Sequence, residues 1–121
     1  MLTHIHPKLP MRDKSITRNY YVDGLGFTEL GNTDFHDYLM LKKDQIEIHF
    51  FLFRELNPLE NDGQVYIRVE NIEEWYRSLE KRGIAIHPNA PLQHKPWGQS
   101  EFSLLDPDHN LLTFGQDSKM E

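Results

Sequence analysis

The chain has 121 residues, which suffices for one domain and is short for two. Its formal net charge of −6 argues against nucleic acid as a partner, because phosphates demand a basic surface. No cysteine is present, which excludes disulfides, thiolate metal sites and cysteine nucleophiles. No apolar run approaches the ~20 residues of a membrane span, and the N-terminus has no signal-peptide pattern, so we expect a cytoplasmic protein without a membrane partner.

The first half of the chain predicts a strand, a helix and then three further strands. The first strand is expected at 2–10, where Pro7 and Pro10 indicate a sheet edge or an arm exchanged with a partner chain. Asp13 or Ser15 can cap the helix that follows. The apolar face of this helix is expected at Ile16 and Tyr20, with Tyr21 as a further candidate, and Gly24 and Gly26 are expected to end it. The later strands are expected at 27–30, 37–41 and 46–53.

A polar segment at 54–63 predicts the linker to the second half, which repeats the order of the first. Asn71 followed by Glu74 predicts a helix start of the capping-box type. The segment 88–98 contains three prolines and is expected to be a loop. The strands of this half are expected at 64–69, 84–87, 100–105 and 111–114.

The two halves share a weak internal repeat. Ile16 and Tyr20 have the same spacing as Ile72 and Tyr76, and each helix runs into a glycine and a short apolar strand. Each half then closes with two strands around a tight turn. This self-similarity favours an internal duplication.

Several short motifs, taken in order, carry a resemblance to a known family. They are Leu9-Pro10-Met11-Arg12-Asp13, Tyr20 with Gly24-Leu25-Gly26-Phe27, Phe50-Phe51 with Leu56-Asn57-Pro58-Leu59, Glu74-Trp75-Tyr76-Arg77, and Trp97-Gly98 with Leu104-Leu105-Asp106-Pro107-Asp108. In this order and spacing the chain resembles the vicinal oxygen chelate (glyoxalase/bleomycin resistance/dioxygenase) superfamily, and within it the bleomycin-resistance proteins.

The resemblance implies an α+β fold of paired βαβββ modules that form a curled, cleft-bearing mixed sheet. One such domain would span 1–121, with module one at about 1–54 and module two at about 63–116. The resemblance also implies a homodimer that exchanges its N-terminal strand and holds a small-molecule ligand at the dimer interface.

Enzymes of this superfamily hold a divalent metal with side chains from both modules. His6 and His49 are similar to ligand positions of the first module, and imidazoles suit Zn, Ni or Fe. In the second module Thr113 stands where the enzymes carry a glutamate, and Gln64 or Asp62 would have to be an unusual third ligand. We therefore expect no cofactor. A metal-dependent glyoxalase, dioxygenase or thiol transferase is the alternative.

The interpretation that remains is a protein that sequesters bleomycin-type glycopeptides without catalysis, or one that binds another small ligand. Aromatic walls with a few acidic groups suit a flat, cationic ligand, because stacking on Trp or Phe adds a cation–π attraction of ~0.5–2 kcal/mol. Strand alternation and the resemblance select the ligand contacts. They are Glu47, His49 and Phe51, Glu101 and Ser103, Thr113, and Trp97 and Gly98 at the mouth of the cleft.

Overall fold

The computed structural model describes residues 1–117 as two compact units. The first unit contains Met1–Gly63 and Pro107–Asn110, and the second contains Gln64–Asp106 and the strand that begins at Leu111. The elements of the first unit are β1 (Lys8–Met11), α1 (Lys14–Arg18), a π-helical turn (Asn19–Gly24), β2 (Thr28–Glu29), β3 (Tyr38–Lys43), β4 (Ile46–Leu52) and a 3-10 turn (Pro58–Glu60). Those of the second unit are β5 (Gln64–Arg68), α2 (Ile72–Lys81), β6 (Gln93–Lys95), β7 (Gln99–Leu105) and β8 (Leu111–Asp117).

Each unit contains one four-stranded mixed sheet and one principal helix. The strand orders are β1-β4-β3-β2 and β5-β8-β7-β6, and in each sheet the first pair is parallel and the others are antiparallel. Each unit therefore has the order βαβββ, and the predicted α+β fold of paired βαβββ modules is confirmed. Within residues 1–117, no helix is long and apolar enough to cross a membrane.

Strand alternation separates a buried face from an open face in the sheet of the first unit. Leu39, Leu41, Ile48 and Phe50 are at most 2% exposed. The Tyr21 ring from the helical segment lies 4.8 Å from the Phe50 ring, which places the helix on this side of the sheet. The intervening residues of β3 and β4 therefore project from the opposite face.

Of the two predicted caps of helix α1, Asp13 is the one found, because its carboxylate accepts a hydrogen bond from the amide of Ile16. The predicted apolar face is correct at Tyr21, which is buried, but wrong at Ile16, which is 54% exposed, and Thr17 is buried instead. A single π-helical turn follows, with the amide of Leu25 bonded to the carbonyl of Tyr20. The wider turn changes the periodicity that the sequence pattern assumed.

The first strand is shorter than the sequence predicts. It begins at Lys8, because residues 2–7 have only one ladder-type bond, from the amide of His49 to the carbonyl of Pro7. Met1, Leu2 and Ile5 are almost fully exposed. Pro10 lies within this strand. Because proline has no N–H to donate to a second neighbour, it fits β1, which is an edge strand of its sheet.

Helix α2 packs its apolar stripe on the sheet of the second unit. Ile72 and Leu79 are buried, and the Tyr76 ring lies 4.9 Å from that of Phe102. Asn71 is in the left-handed region (φ 57°) and its side chain makes no cap bond, so the predicted capping box is wrong. The side-chain carbonyl of Gln116 instead accepts the amide of Ile72, at 2.7 Å.

The segment between α2 and β7 also differs from the prediction. Residues 84–87 do not form the expected strand, whereas Gln93–Lys95, expected in a loop, pair with β7 as β6. The backbone of 87–90 does bond to β7, through His87 N to Ser103 O and Ser103 N to Ala90 O. Pro88 interrupts this pairing, because proline has no N–H to continue a ladder.

Candidate functional site

The open face of the first sheet, here called the first face, carries three of the predicted ligand contacts. Glu47, His49 and Phe51 alternate on β4 with the buried Ile48 and Phe50. In the register His49 lies opposite both Lys8 and Met40, and Phe51 lies opposite both Pro10 and Tyr38. Phe51 is 36% exposed, so part of its ring is available at the surface.

A chain of hydrogen bonds runs across the first face. The Tyr38 hydroxyl lies 2.7 Å from His49 Nδ1, and His49 Nε2 lies 2.6 Å from a Glu47 carboxylate oxygen. His6 Nε2 approaches the other Glu47 oxygen at 3.5 Å. A neutral His49 satisfies this geometry fully, because its Nε2–H donates to Glu47 while its Nδ1 accepts from Tyr38.

Two pKa values on the first face are perturbed by this chain. The hydrogen bond from His49 lowers the pKa of Glu47, and the nearby charges of His6 and Lys42 act in the same direction. Burial raises the pKa of Tyr38, and the Glu47 charge adds to that effect. At neutral pH the arrangement therefore holds an ionised carboxylate beside a neutral phenol.

The two metal-ligand candidates from the sequence lie together at the first face. His6 and His49, the candidates from the sequence, have ring centroids 5.4 Å apart, but both ring nitrogens of His49 already have partners. Across residues 1–117, no three His, Cys, Asp or Glu side chains are arranged to hold a metal ion. The Thr113 hydroxyl is paired with that of Ser103, at 2.9 Å between the two oxygens.

The open face of the second sheet, here called the second face, is built from β5, β8 and β7. Tyr66 lies opposite Thr113, Thr113 opposite Ser103, and Gly115 opposite Glu101. Phe102, Leu104, Leu112 and Phe114 alternate with these residues and are buried. Predicted contacts Glu101, Ser103 and Thr113 therefore share one face, although Ser103 is only 6% exposed.

Glu101 joins the aromatic residues of the second face. One of its carboxylate oxygens, Oε2, accepts the Tyr66 hydroxyl at 2.8 Å and the Trp97 indole N–H at 3.2 Å. The Trp97 side chain is nevertheless 64% exposed, so its ring faces remain largely in water. Gly98, the other predicted contact of this segment, has φ 82° and bonds its amide to the carbonyl of Lys95, which forms the turn that presents Trp97.

The Tyr66 side chain reaches over Gly115 of the neighbouring strand. A Cβ on Gly115 would stand 1.9 Å from the Tyr66 hydroxyl oxygen, so only glycine leaves room for this ring. Arg68 lies 5.5 Å from the Tyr66 ring centroid and also bonds to Gln99. Burial raises the pKa of Tyr66, the hydrogen bond and charge of Glu101 raise it further, and Arg68 opposes them.

Tyr38, Tyr66, Arg68 and Gln99 are not among the ligand contacts predicted from the sequence. The sequence does contain a signal for Tyr66 and Arg68. They alternate with Val65 and Ile67 in a short strand, which predicts that both lie on its more polar face. Tyr38 and Gln99 depend on cross-strand register, which the sequence does not give. Ligand contact by the predicted residues stays a prediction.

Comparisons with known proteins agree with this fold and these motifs. The family model described as the Glyoxalase/Bleomycin resistance protein/Dioxygenase superfamily matches residues 3–114. The chain belongs to this superfamily, and the predicted resemblance is confirmed.

The similar proteins include several named for bleomycin. The chain is 31% identical to a bleomycin resistance protein of Geobacillus stearothermophilus, over 93% of this chain and 96% of that protein. It superposes on a bleomycin resistance determinant encoded on transposon Tn5 with a TM-score of 0.84, at 26% identity over 98% and 100% of the two chains. A bleomycin-binding protein in complex with bleomycin gives a TM-score of 0.83, at 27% identity over 96% and 99%.

Proposed function

We propose that this protein binds bleomycin-type glycopeptides and sequesters them without catalysis. The observation that carries the proposal is the exposed Trp97 indole, whose N–H is bonded to Glu101 beside Tyr66. Its support from known proteins is the structure solved with bleomycin, which is similar over nearly the whole chain, and the resistance protein that is 31% identical. An unidentified small ligand of similar chemistry is the alternative that the same surface suits.

The chemistry of the second face suits a ligand with a flat ring system. Trp97 and Tyr66 offer large apolar areas that are already partly exposed, so stacking on them removes apolar surface from water. Bleomycin-type glycopeptides carry a flat bithiazole and a cationic tail. A protein of net charge −6 attracts such a cation at long range, and this effect weakens as salt is added.

The proposal assigns no resident metal to the protein. It is supported by the first face, where His49 is bonded on both ring nitrogens and Glu47 is held between two imidazoles. A metal carried by the ligand itself is compatible with this arrangement. Metal analysis of protein grown in supplemented medium is the direct measurement, and stoichiometric zinc, nickel or iron would contradict this part of the proposal.

The proposal also includes a cytoplasmic homodimer whose N-terminal arm is exchanged between subunits. The support is the arm itself, since Met1, Leu2 and Ile5 are almost fully exposed and burying them against a partner chain would remove apolar surface from water. Deletion of residues 1–6 should weaken dimerisation in analytical ultracentrifugation over a concentration series. A deletion variant that stays a dimer of unchanged affinity would contradict the arm exchange.

Isothermal titration with metal-free and with copper-loaded bleomycin tests the binding proposal. Trp97→Ala should weaken binding about tenfold, because loss of a stacking contact of about 1.4 kcal/mol corresponds to that factor. Phe35→Ala is the matched control, since Phe35 is a comparably exposed aromatic residue (57%) that lies in the segment between β2 and β3. No heat and no thermal shift at high bleomycin concentration would refute the assignment, and equal losses in both variants would refute the site.

A further inference from the structure

Glu101 makes an unusual use of its carboxylate. Both donors that reach it, the Tyr66 hydroxyl and the Trp97 indole N–H, bond to the same oxygen. These donors are neutral, and each belongs to a ring whose faces a flat ligand could stack on. Glu101 Oε2 therefore accepts two hydrogen bonds, and each bond holds the edge of one aromatic ring.

The ring faces already have cationic neighbours from this chain. Arg68 lies 5.5 Å from the centre of the Tyr66 ring, and Lys95 lies 5.9 Å from the centre of the Trp97 ring. A ligand cation directed at either ring by Glu101 would meet these like charges. The charge pattern therefore favours a flat, uncharged ligand group at this position over a direct ion pair between ligand and Glu101.

Gly115 supplies an independent indication that the Tyr66 ring has a specified position. Gly115 has no positive φ that would require glycine for backbone reasons, but its missing Cβ leaves the space in which Tyr66 lies. The bond from Tyr66 to Glu101 spans β8, because Glu101 and Gly115 are register partners. The position of the Tyr66 ring thus depends on Gly115 and on Glu101, the nearer acceptor of a hydroxyl that also lies 3.3 Å from Gln99 Oε1.

We infer that Glu101 is a positioning residue, which fixes the Trp97 and Tyr66 rings for stacking against a flat, uncharged group of the ligand. An exposed tryptophan that rotates freely must be ordered when the ligand binds, and that ordering costs affinity. A ring whose N–H is already bonded has lost much of that freedom beforehand. This inference deepens the proposed function and rests on it.

The test compares Glu101→Gln, which keeps an acceptor oxygen, with Glu101→Ala, which does not. With metal-free bleomycin as the probe, Glu101→Ala should bind about tenfold more weakly than the parent and Glu101→Gln within about threefold of it. If Glu101 instead pairs with a ligand cation, both variants lose affinity equally. That result would overturn the inference.

A second readout needs no ligand. The two tryptophans give two indole N–H signals in a ¹⁵N-labelled protein, and Trp97→Phe identifies that of Trp97. Exchange of this proton with water should accelerate several-fold in Glu101→Ala and remain close to the parent rate in Glu101→Gln. Equal exchange rates in the parent and in Glu101→Ala would refute the positioning role even if bleomycin binds. Accelerated exchange without any bleomycin binding would instead refute the proposed ligand.

Two further variants displace Tyr66 without altering the carboxylate. Tyr66→Phe removes the donor, and Gly115→Ala removes the space for the ring, so both should weaken bleomycin binding severalfold. Because Gly115→Ala alters a buried strand position, circular dichroism and a cooperative melt must first show that it folds. If it does not, Tyr66→Phe decides, and unchanged affinity in that variant would contradict a role for the Tyr66–Glu101 bond.

Discussion

Replacing Asp108 with alanine should destabilise the protein severely, although Asp108 lies in a hairpin turn. Its side chain is only 3% exposed, and one carboxylate oxygen accepts both the backbone amide of Arg12 at 3.1 Å and Arg12 Nε at 2.6 Å. The other oxygen lies 3.5 Å from the Thr17 hydroxyl. The variant leaves these donors without an ionised acceptor.

The expected magnitude follows from the two strong bonds. A hydrogen bond to a charged group contributes about 1.5–3 kcal/mol, so the two bonds from Arg12 have an upper limit of about 6 kcal/mol. The Arg12 side chain is 40% exposed and can regain water, which reduces the loss. We therefore expect Asp108→Ala to lose about 2–4 kcal/mol of unfolding free energy, or roughly 10 °C in Tm. Asp108→Asn retains the shape and should lose about half as much.

Urea unfolding and thermal melts at one fixed protein concentration measure these losses, since dimerisation makes Tm depend on concentration. Asp34→Ala is the control because Asp34 also pairs with two cations, Lys14 and Arg18, but its side chain is 74% exposed. That variant should be indistinguishable from the parent. Similar losses for Asp108→Ala and Asp34→Ala would show that burial does not set the strength of these ion pairs.

Two further predictions concern pH and helix capping. Because His49 lowers the pKa of Glu47 below 4.5, this carboxylate stabilises the fold above that value and stops doing so as the pH falls through its lowered pKa. In melts between about pH 3 and pH 7, the Tm should therefore fall more steeply on the acid side for the parent than for Glu47→Gln. Parallel Tm profiles would contradict the lowered pKa of Glu47. Gln116→Ala should lower the free energy of unfolding in urea by about 1 kcal/mol, because the amide of Ile72 loses its acceptor. Glu74→Ala should lower it little. The reverse order of the two losses would show that a capping box with Glu74 stabilises the helix after all.

The elements that the sequence predicted well are those with strong local patterns. Residues 46–50 alternate apolar and polar side chains before a short apolar run, and β4 is found at Ile46–Leu52 with Ile48 and Phe50 on the buried face. Asp13 has a short acceptor side chain before a helix, and it is the cap. Such features depend on neighbours in the chain, which is why pattern and propensity suffice for them.

The predictions that failed depend on partners distant in sequence. Asn71 is of a residue type that often caps helices, but the acceptor for the amide of Ile72 is Gln116 on β8, 44 positions beyond Ile72. Residues 84–87 have the apolar character of a strand, yet Gln93–Lys95 occupy the edge of the sheet beside β7. In each case tertiary context overrode local preference.

The sequence alone determined the composition of the candidate site and the faces on which its residues lie. Alternation along β4 and β7 assigns Glu47, His49 and Phe51, and likewise Glu101 and Ser103, to the face opposite the buried residues, because side chains in a strand alternate with a period of two. Only the tertiary structure decided what these residues do to one another. Register brings Tyr66 over Gly115 to Glu101 and brings Tyr38 to His49, and such contacts depend on strand pairing that no local pattern specifies.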